Sequence, residues 1–161
     1  MNVMDYSFRS YINKNITLWY MLKEFVIPYI VILVLFLVID LPVILYFNKN
    51  MYQEQFKRIN NGDIKSGPHV WISGAIAYLL LALGIYFFIV KQELIEEKQD
   101  YLKIFTKGLV LGLIIYGIYN GTNKATINEF GTKESIIDTI WGTLLSGLLG
   151  VSSVYILKKI N

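Results

Sequence analysis

Cysteine is absent from this chain, which excludes disulfides, thiolate nucleophiles and sulfur-ligated zinc. Histidine occurs once, as His69, and no Asp, Glu and His spacing suggests a metal site or a nucleophile–base pair. No cofactor and no metal are implied. Charge is scarce as well: Asp, Glu, Lys and Arg make up 17% of the chain, below the roughly one quarter usual in soluble domains. The net charge of +3 is dispersed, which speaks against nucleic acid as a partner. A cysteine-free chain suits either redox compartment.

What is present in excess is apolar surface. Hydrophobic residues reach 55% of 161 positions, above the ~45–50% of soluble chains. Lipid removes the need for a polar exterior, so an all-α integral membrane bundle accounts for both departures. The length fits one domain.

Crossing ~30 Å of hydrocarbon takes about 20 mostly apolar residues in a helix. Four stretches qualify: 25–47, with Asp40 as its one charge; 71–90, uncharged; 104–123, interrupted by Lys107; and 136–157, with Asp138 near its start. Residues 1–24 form a separate segment with no cleavable-signal pattern. Tyr6, Phe8, Tyr11, Trp19 and Leu22 alternate there with Arg9, Lys14 and Lys23. It reads either as an interfacial amphipathic helix or as a loosely ordered tail. Residues 25–161 then form the four-helix transmembrane domain.

Four spans place both termini on one face, here called A, opposite face B. Face A collects nine basic residues (Arg9, Lys14, Lys23, Lys91, Lys98, Lys103, Lys107, Lys158, Lys159) and face B six (Lys49, Lys57, Arg58, Lys65, Lys124, Lys133). The excess predicts that both termini are cytoplasmic, in the cell or plasma membrane. Tyr52, Phe56 and Ile59 recur at helical spacing after the first span, predicting an amphipathic extension. Gly62-Asp63 reads as its stop, Gly67-Pro68 as the start of the second span, and Glu93–Lys103 as a polar turn.

Small residues recur four apart in the last two spans: Gly108/Gly112, Gly117/Gly121, Gly142/Ser146, Thr143/Gly147 and Ser146/Gly150. Such spacing lets helix backbones approach closely within lipid. It predicts close packing of the third span on the fourth through Gly112, Gly117, Gly142 and Ser146, with a homo-oligomer seam as the alternative use. Trp19, Trp71 and Trp141 fall near span boundaries and read as an interfacial aromatic belt.

The connectivity brings Asp40, His69, Asn120, Thr122, Asn123 and Asp138 to face B. Asp40 lies deepest, about 10 Å inside its span at ~1.5 Å per residue. Tyr116, Asn120 and Asn123 share one helical face, and Asp138, Trp141, Gly142 and Leu145 another. A charge at mid-helix costs roughly 2.5–3.5 kcal/mol on insertion scales, so Asp40 needs partners. The candidate polar cluster is Asp40, Tyr116, Asn120, Thr122, Asn123, Thr126 and Asp138, either a satisfied knot that sets helix register or a small polar site opening to face B. Asp40, Asn123 and Asp138 are expected within hydrogen-bonding reach of each other, or of Thr122 and Tyr116. Pro42 is expected to loosen the first span beside Asp40.

The run Tyr116-x-x-Tyr119-Asn120-x-Thr122-Asn123-x-Ala125-Thr126, followed by Asp138-x-x-Trp141-Gly142-Thr143, resembles an uncharacterised "domain of unknown function" family. Its members are small four-helix predicted membrane proteins of bacteria and of some large DNA viruses. The resemblance spans about 37–157 and takes in Asp40 with Tyr52 twelve residues on, and Gly84-x-Tyr86-Phe87. Two positions depart from it: Asn120 stands where the family has Asp, and Leu41-Pro42-Val43 follows Asp40 where the family carries a Trp. The resemblance implies the fold and the residues to watch, but no reaction; a viral source would move the protein to a host or virion membrane.

Three classes of function follow, in order. The first is a membrane structural or interaction module, its polar cluster near the extracytoplasmic face. The second is a small carrier or binding protein for a small polar solute or ion. The third, an intramembrane enzyme, lacks a nucleophile–base pair. The bilayer is the one partner the composition demands, and the ligand, if any, is not legible.

Overall fold

The computed structural model describes residues 20–62 and 65–160. Four helices are long and apolar enough to cross a membrane: α1 (Leu22–Phe47), α3 (Pro68–Ile95), α4 (Tyr101–Thr126) and α5 (Thr132–Ile160). A shorter helix, α2 (Lys49–Ile59), follows α1. No strand occurs among the described residues. The all-α membrane bundle expected from hydropathy is the architecture found. Most of the N-terminal segment lies outside the described residues, but Leu22–Glu24 already belong to α1.

At most ends the helices overrun the apolar runs by three to five residues. Hydropathy marks the hydrocarbon, whereas backbone hydrogen bonding continues beyond it. Local signals set the true ends. Gly67 takes φ +110° ahead of α3, a conformation that favours glycine, and Pro68 occupies the first helical turn. There its missing N–H costs nothing. The Asp100 carboxylate caps α4, accepting from the Lys103 N–H at 3.1 Å, one of the donors a helix start leaves free.

Pro42 has no N–H to offer the Val38 carbonyl, and the turn after it, Val43–Phe47, has π-type winding, as do Leu22–Val26 and Tyr86–Val90, which follow no proline. The Asn48 N–H reaches back five residues to the Val43 carbonyl at 2.8 Å. The slackened turn ends α1 and releases the chain into α2, whose first residues carry charge and amide rather than apolar side chains.

The bundle is organised around α5. Half of its most apolar stretch is buried (50%), against 17–22% for the other spans. Leu145, Leu149, Val154 and Leu157 of α5 meet Ile32 and Phe36 of α1, Ile85 and Ile89 of α3, and Ile104 of α4. Large side chains on the outer faces, such as Val38, Leu80, Leu113 and Ile140, are exposed, as lipid contact requires.

The closest approach is between α4 and α5. A methyl group added at Gly108 would stand 2.6 Å from both the Gly147 Cα and the Ser146 carbonyl; one at Gly112 would stand 2.7 Å from the Gly142 carbonyl and the Ser146 Oγ. The Gly142 side of the seam is filled by the Tyr116 ring. Gly117, expected in this seam, is not part of it: a methyl there meets nothing within 4 Å, and the same holds for Gly121. At ~100° per residue Gly117 is turned about 140° from Gly112 around the helix, so only one of the two GxxxG stripes can face α5. Gly117→Leu should therefore leave the folded, monodisperse protein in detergent intact. Aggregation of that variant on size exclusion would put Gly117 back in the seam.

At face A, Glu93 is buried and pairs with Lys107 at 2.6 Å, so one side chain of the expected polar turn is a helix–helix contact. Lys158 Nζ donates to the Leu94 and Glu96 carbonyls at 3.0 and 2.7 Å, satisfying free acceptors at the end of α3. At face B, Lys124 Nζ donates to the Phe130 carbonyl at 2.6 Å and closes the α4–α5 loop.

Candidate functional site

Two aspartates in unlike surroundings dominate face B. Asp40 is 5% exposed. Its Oδ2 accepts from the Tyr78 hydroxyl at 2.5 Å and its Oδ1 from the Trp141 indole N–H at 2.8 Å. One carboxylate thus ties α1 to α3 and α5. Phe36, one turn earlier on α1, packs on the Tyr78 ring with centroids 4.5 Å apart, fixing the donor's direction.

Asp138 ties a different set. Its Oδ1 accepts from the Tyr52 hydroxyl at 2.7 Å and its Oδ2 from Asn120 Nδ2 at 2.8 Å, joining α5 to α2 and α4. Asn120 Nδ2 also lies 3.1 Å from Thr139 Oγ1 and 3.0 Å from the Tyr116 carbonyl. Burial, the hydrogen bond to Asp138 and that carboxylate's charge push the Tyr52 phenol far above its ordinary pKa. It remains a protonated donor.

α2 is held over this end by a second strap. Arg58 donates to Glu134 at 2.6 Å, and that hydrogen bond raises the guanidinium's pKa further. Glu134 is buried while the guanidinium is partly open to solvent, so the pair fixes the orientation of α2 over this end. Beneath α2 lies a cavity of about 230 Å³, whose walls include Tyr52, Gln55, Asn120 and Asp138.

The sequence-derived cluster is therefore divided. Asn120 and Asp138 meet directly. Asp40 is near the same face, yet it bonds Tyr78 and Trp141 instead of Asn123 or Asp138. Tyr116 packs its ring against Gly142. Thr122 and Thr126 are exposed and turn back on their own helix, Thr122 to the Ile118 and Tyr119 carbonyls and Thr126 to that of Thr122. Asn123 bonds neither aspartate among the described residues. Three residues after Asn120, it is rotated about 60° away around α4.

Trp141 is not a belt residue. Its N–H satisfies a carboxylate inside the bundle, while Trp71 is 80% exposed at the start of α3. Sequence reasoning left three donors out of the cluster: Tyr78, which it did not single out, and Tyr52 and Trp141, which the family resemblance takes in without assigning them to an aspartate. A signal for them existed: an aspartate in hydrocarbon requires donors, and tyrosine and tryptophan are the apolar-compatible residues that carry one.

Chemically, both carboxylates are served by neutral donors, and no basic side chain bonds either one among the described residues. Nor do His, Asp and Glu there come together in a group of three that would hold a metal ion.

No curated protein and no solved structure matches the chain. A family model described as "Predicted membrane protein (DUF2177)" matches residues 25–155, the whole bundle from the first turn of α1 to the last turns of α5. With four spans of the required length and apolarity inside that match, the chain belongs to this predicted membrane protein family.

Proposed function

We propose that the protein is a membrane structural module that works through a fixed helix arrangement, with Asp40 as the internal lock near the extracytoplasmic face. The observation carrying this reading is the closure of Asp40: it is buried, and each oxygen is taken by a donor from a different helix. Interhelical hydrogen bonds in membranes average only ~0.6 kcal/mol. The lock therefore specifies register more than it adds stability, and turnover is not what its geometry serves.

Tyr78→Phe and Trp141→Phe test the reading. Each should keep the fold, lower thermal stability by about 1 kcal/mol, and reduce any cellular phenotype only in proportion to the folded protein lost. A variant that is as stable as wild type and yet inactive in cells would overturn the lock.

The reading places both termini in the cytoplasm, supported by the basic excess on face A. Single cysteines replacing Lys98 and Lys133 should be labelled from opposite sides by an impermeant maleimide, Lys98→Cys from the cytoplasm. Labelling in the reverse sense would invert the module. Gly117 and Gly121, where an added methyl meets nothing within 4 Å, are the positions left to a homo-oligomer seam. Light scattering of wild type against Gly117→Leu reads it directly: equal masses remove the seam.

A further inference from the structure

We propose that a recess at face A, between the start of α1 and the end of α3, binds the phosphate of an anionic phospholipid between the Lys23 and Lys91 ammonium groups. It lies at the opposite end of the bundle from Asp40 and uses none of the groups bonded there. The recess measures about 270 Å³ and is lined by Lys23, Glu24, Tyr86, Lys91, Leu94 and Ile95. Two contacts hold its walls together. The Tyr86 hydroxyl donates to the Glu24 carbonyl at 2.6 Å, and the Phe25 ring stands edge-on to Tyr86 with centroids 5.1 Å apart. They pin the first turn of α1 to α3 just before Lys91, so two lysines from different helices border one recess.

Charge narrows the class. A lysine at the end of a span ordinarily reaches outward along apolar surface on its own; here two share one recess. Neither ammonium forms an ion pair or a hydrogen bond among the described residues. Lys91 Nζ stays 5.6 Å from the Phe87 ring centroid, a cation–π contact that keeps it close to α3. The carbonyls that end α3 would repel an anion, but Lys158 Nζ already donates to those of Leu94 and Glu96. With Glu24 as its one carboxylate, the lining carries a single net positive charge. That balances the one negative charge of a phosphodiester such as phosphatidylglycerol. A zwitterionic headgroup would bring its own cation toward two lysines, and a polyphosphate would bring surplus charge against Glu24. The level of the recess favours a lipid over a soluble phosphate. Lys23 stands in the first turn of α1 and Lys91 in the last turn of α3, at the edge of the hydrocarbon where a leaflet's headgroups begin. Leu94, Ile95 and the Tyr86 ring add an apolar wall beside the lysines.

The test uses the full chain in a neutral detergent, with dioleoyl phosphatidylglycerol as the probe. The lipid should raise the Tm in a saturable manner, whereas dioleoyl phosphatidylcholine, and inorganic phosphate at constant ionic strength, should not. Lys23→Gln and Lys91→Gln each remove the charge of an exposed side chain. Both should melt like wild type without lipid and bind phosphatidylglycerol about tenfold more weakly. The double substitution should abolish the response. Lys103→Gln is the control: it removes a charge from the same face outside the recess, and it should bind like wild type. General attraction of a basic face to an anionic lipid would weaken all three single variants alike. No shift with phosphatidylglycerol, an equal shift with phosphatidylcholine, a full response in the double variant, or an equal loss in Lys103→Gln would each overturn the proposal. A shift with inorganic phosphate as large as the lipid's would overturn the lipid as the source of the phosphate. A lock disproved through Tyr78→Phe and Trp141→Phe leaves this test standing, because Lys23 and Lys91 are separate from that cluster.

Discussion

Replacing Gly108 by leucine should abolish the folded bundle in detergent, the largest loss expected of any single substitution in the spans. Even the first carbon of the new side chain would stand 2.6 Å from the Gly147 Cα and from the Ser146 carbonyl. Both are backbone atoms of a helix, so neither can rotate away. Overpacking a core by a methylene or two costs typically about 1–3 kcal/mol; here a whole isobutyl group must enter a backbone-to-backbone contact. The alternative is for α4 to leave α5, which would also break the Asn120–Asp138 and Asn120–Thr139 bonds at the other end of the seam. Gly112→Leu should behave similarly, against the Gly142 carbonyl and Ser146. Size exclusion and thermal unfolding measure the effect, with Gly117→Leu as the matched control at a position where an added methyl meets nothing within 4 Å. A Gly108→Leu protein that elutes and melts like wild type would mean that α4 and α5 do not meet at this seam.

That contrast shows what a sequence can and cannot convey about such a bundle. Four helices were legible because hydrocarbon imposes a length and an apolarity that few other structures meet. Their true ends were less so: α3 continues through Lys91 and Glu93, and α4 through Lys124. Charged residues tolerated at the interface look like loop residues when only hydropathy is read. The two GxxxG stripes of α4 are equivalent as patterns. Which one meets α5 depends on the rotation of α4, set by contacts that the spacing does not contain.

The polar residues were legible in part for the same reason. Asp40 and Asp138 stand out because a carboxylate in an apolar run demands an explanation. Asn120 and Asp138 lie 18 residues apart across a short loop, so helix geometry brings them together. The partners of Asp40 come from helices far along the chain, Tyr78 and Trp141, and a tyrosine in a span looks like any other aromatic until the helices are placed. The cavity was least legible, because it depends on where α2 lies, and α2 is held by contacts to Asp138 and Glu134 at the opposite end of the sequence.

Asp40→Leu should destabilise the bundle strongly, and Asp40→Asn should not. Leucine leaves the Tyr78 hydroxyl and the Trp141 N–H facing an apolar group in a site that water does not readily enter. An unsatisfied buried donor costs about 1–3 kcal/mol, so two of them sum to roughly 2–6 kcal/mol, a large part of a typical domain's total stability. Asparagine keeps a carbonyl oxygen for the Trp141 N–H, and its amide can donate to the Tyr78 oxygen, since a phenol both donates and accepts. The expected loss for Asp40→Asn is then about 1 kcal/mol. The triple substitution Asp40→Leu, Tyr78→Phe, Trp141→Phe removes both orphaned donors along with the acceptor. It should recover part of what Asp40→Leu alone loses, since replacing both partners of a buried bond by apolar groups costs less than removing one. Thermal unfolding of the four proteins in the same detergent measures this. A triple variant no more stable than Asp40→Leu would mean that the carboxylate acts on the fold through something other than these two hydrogen bonds.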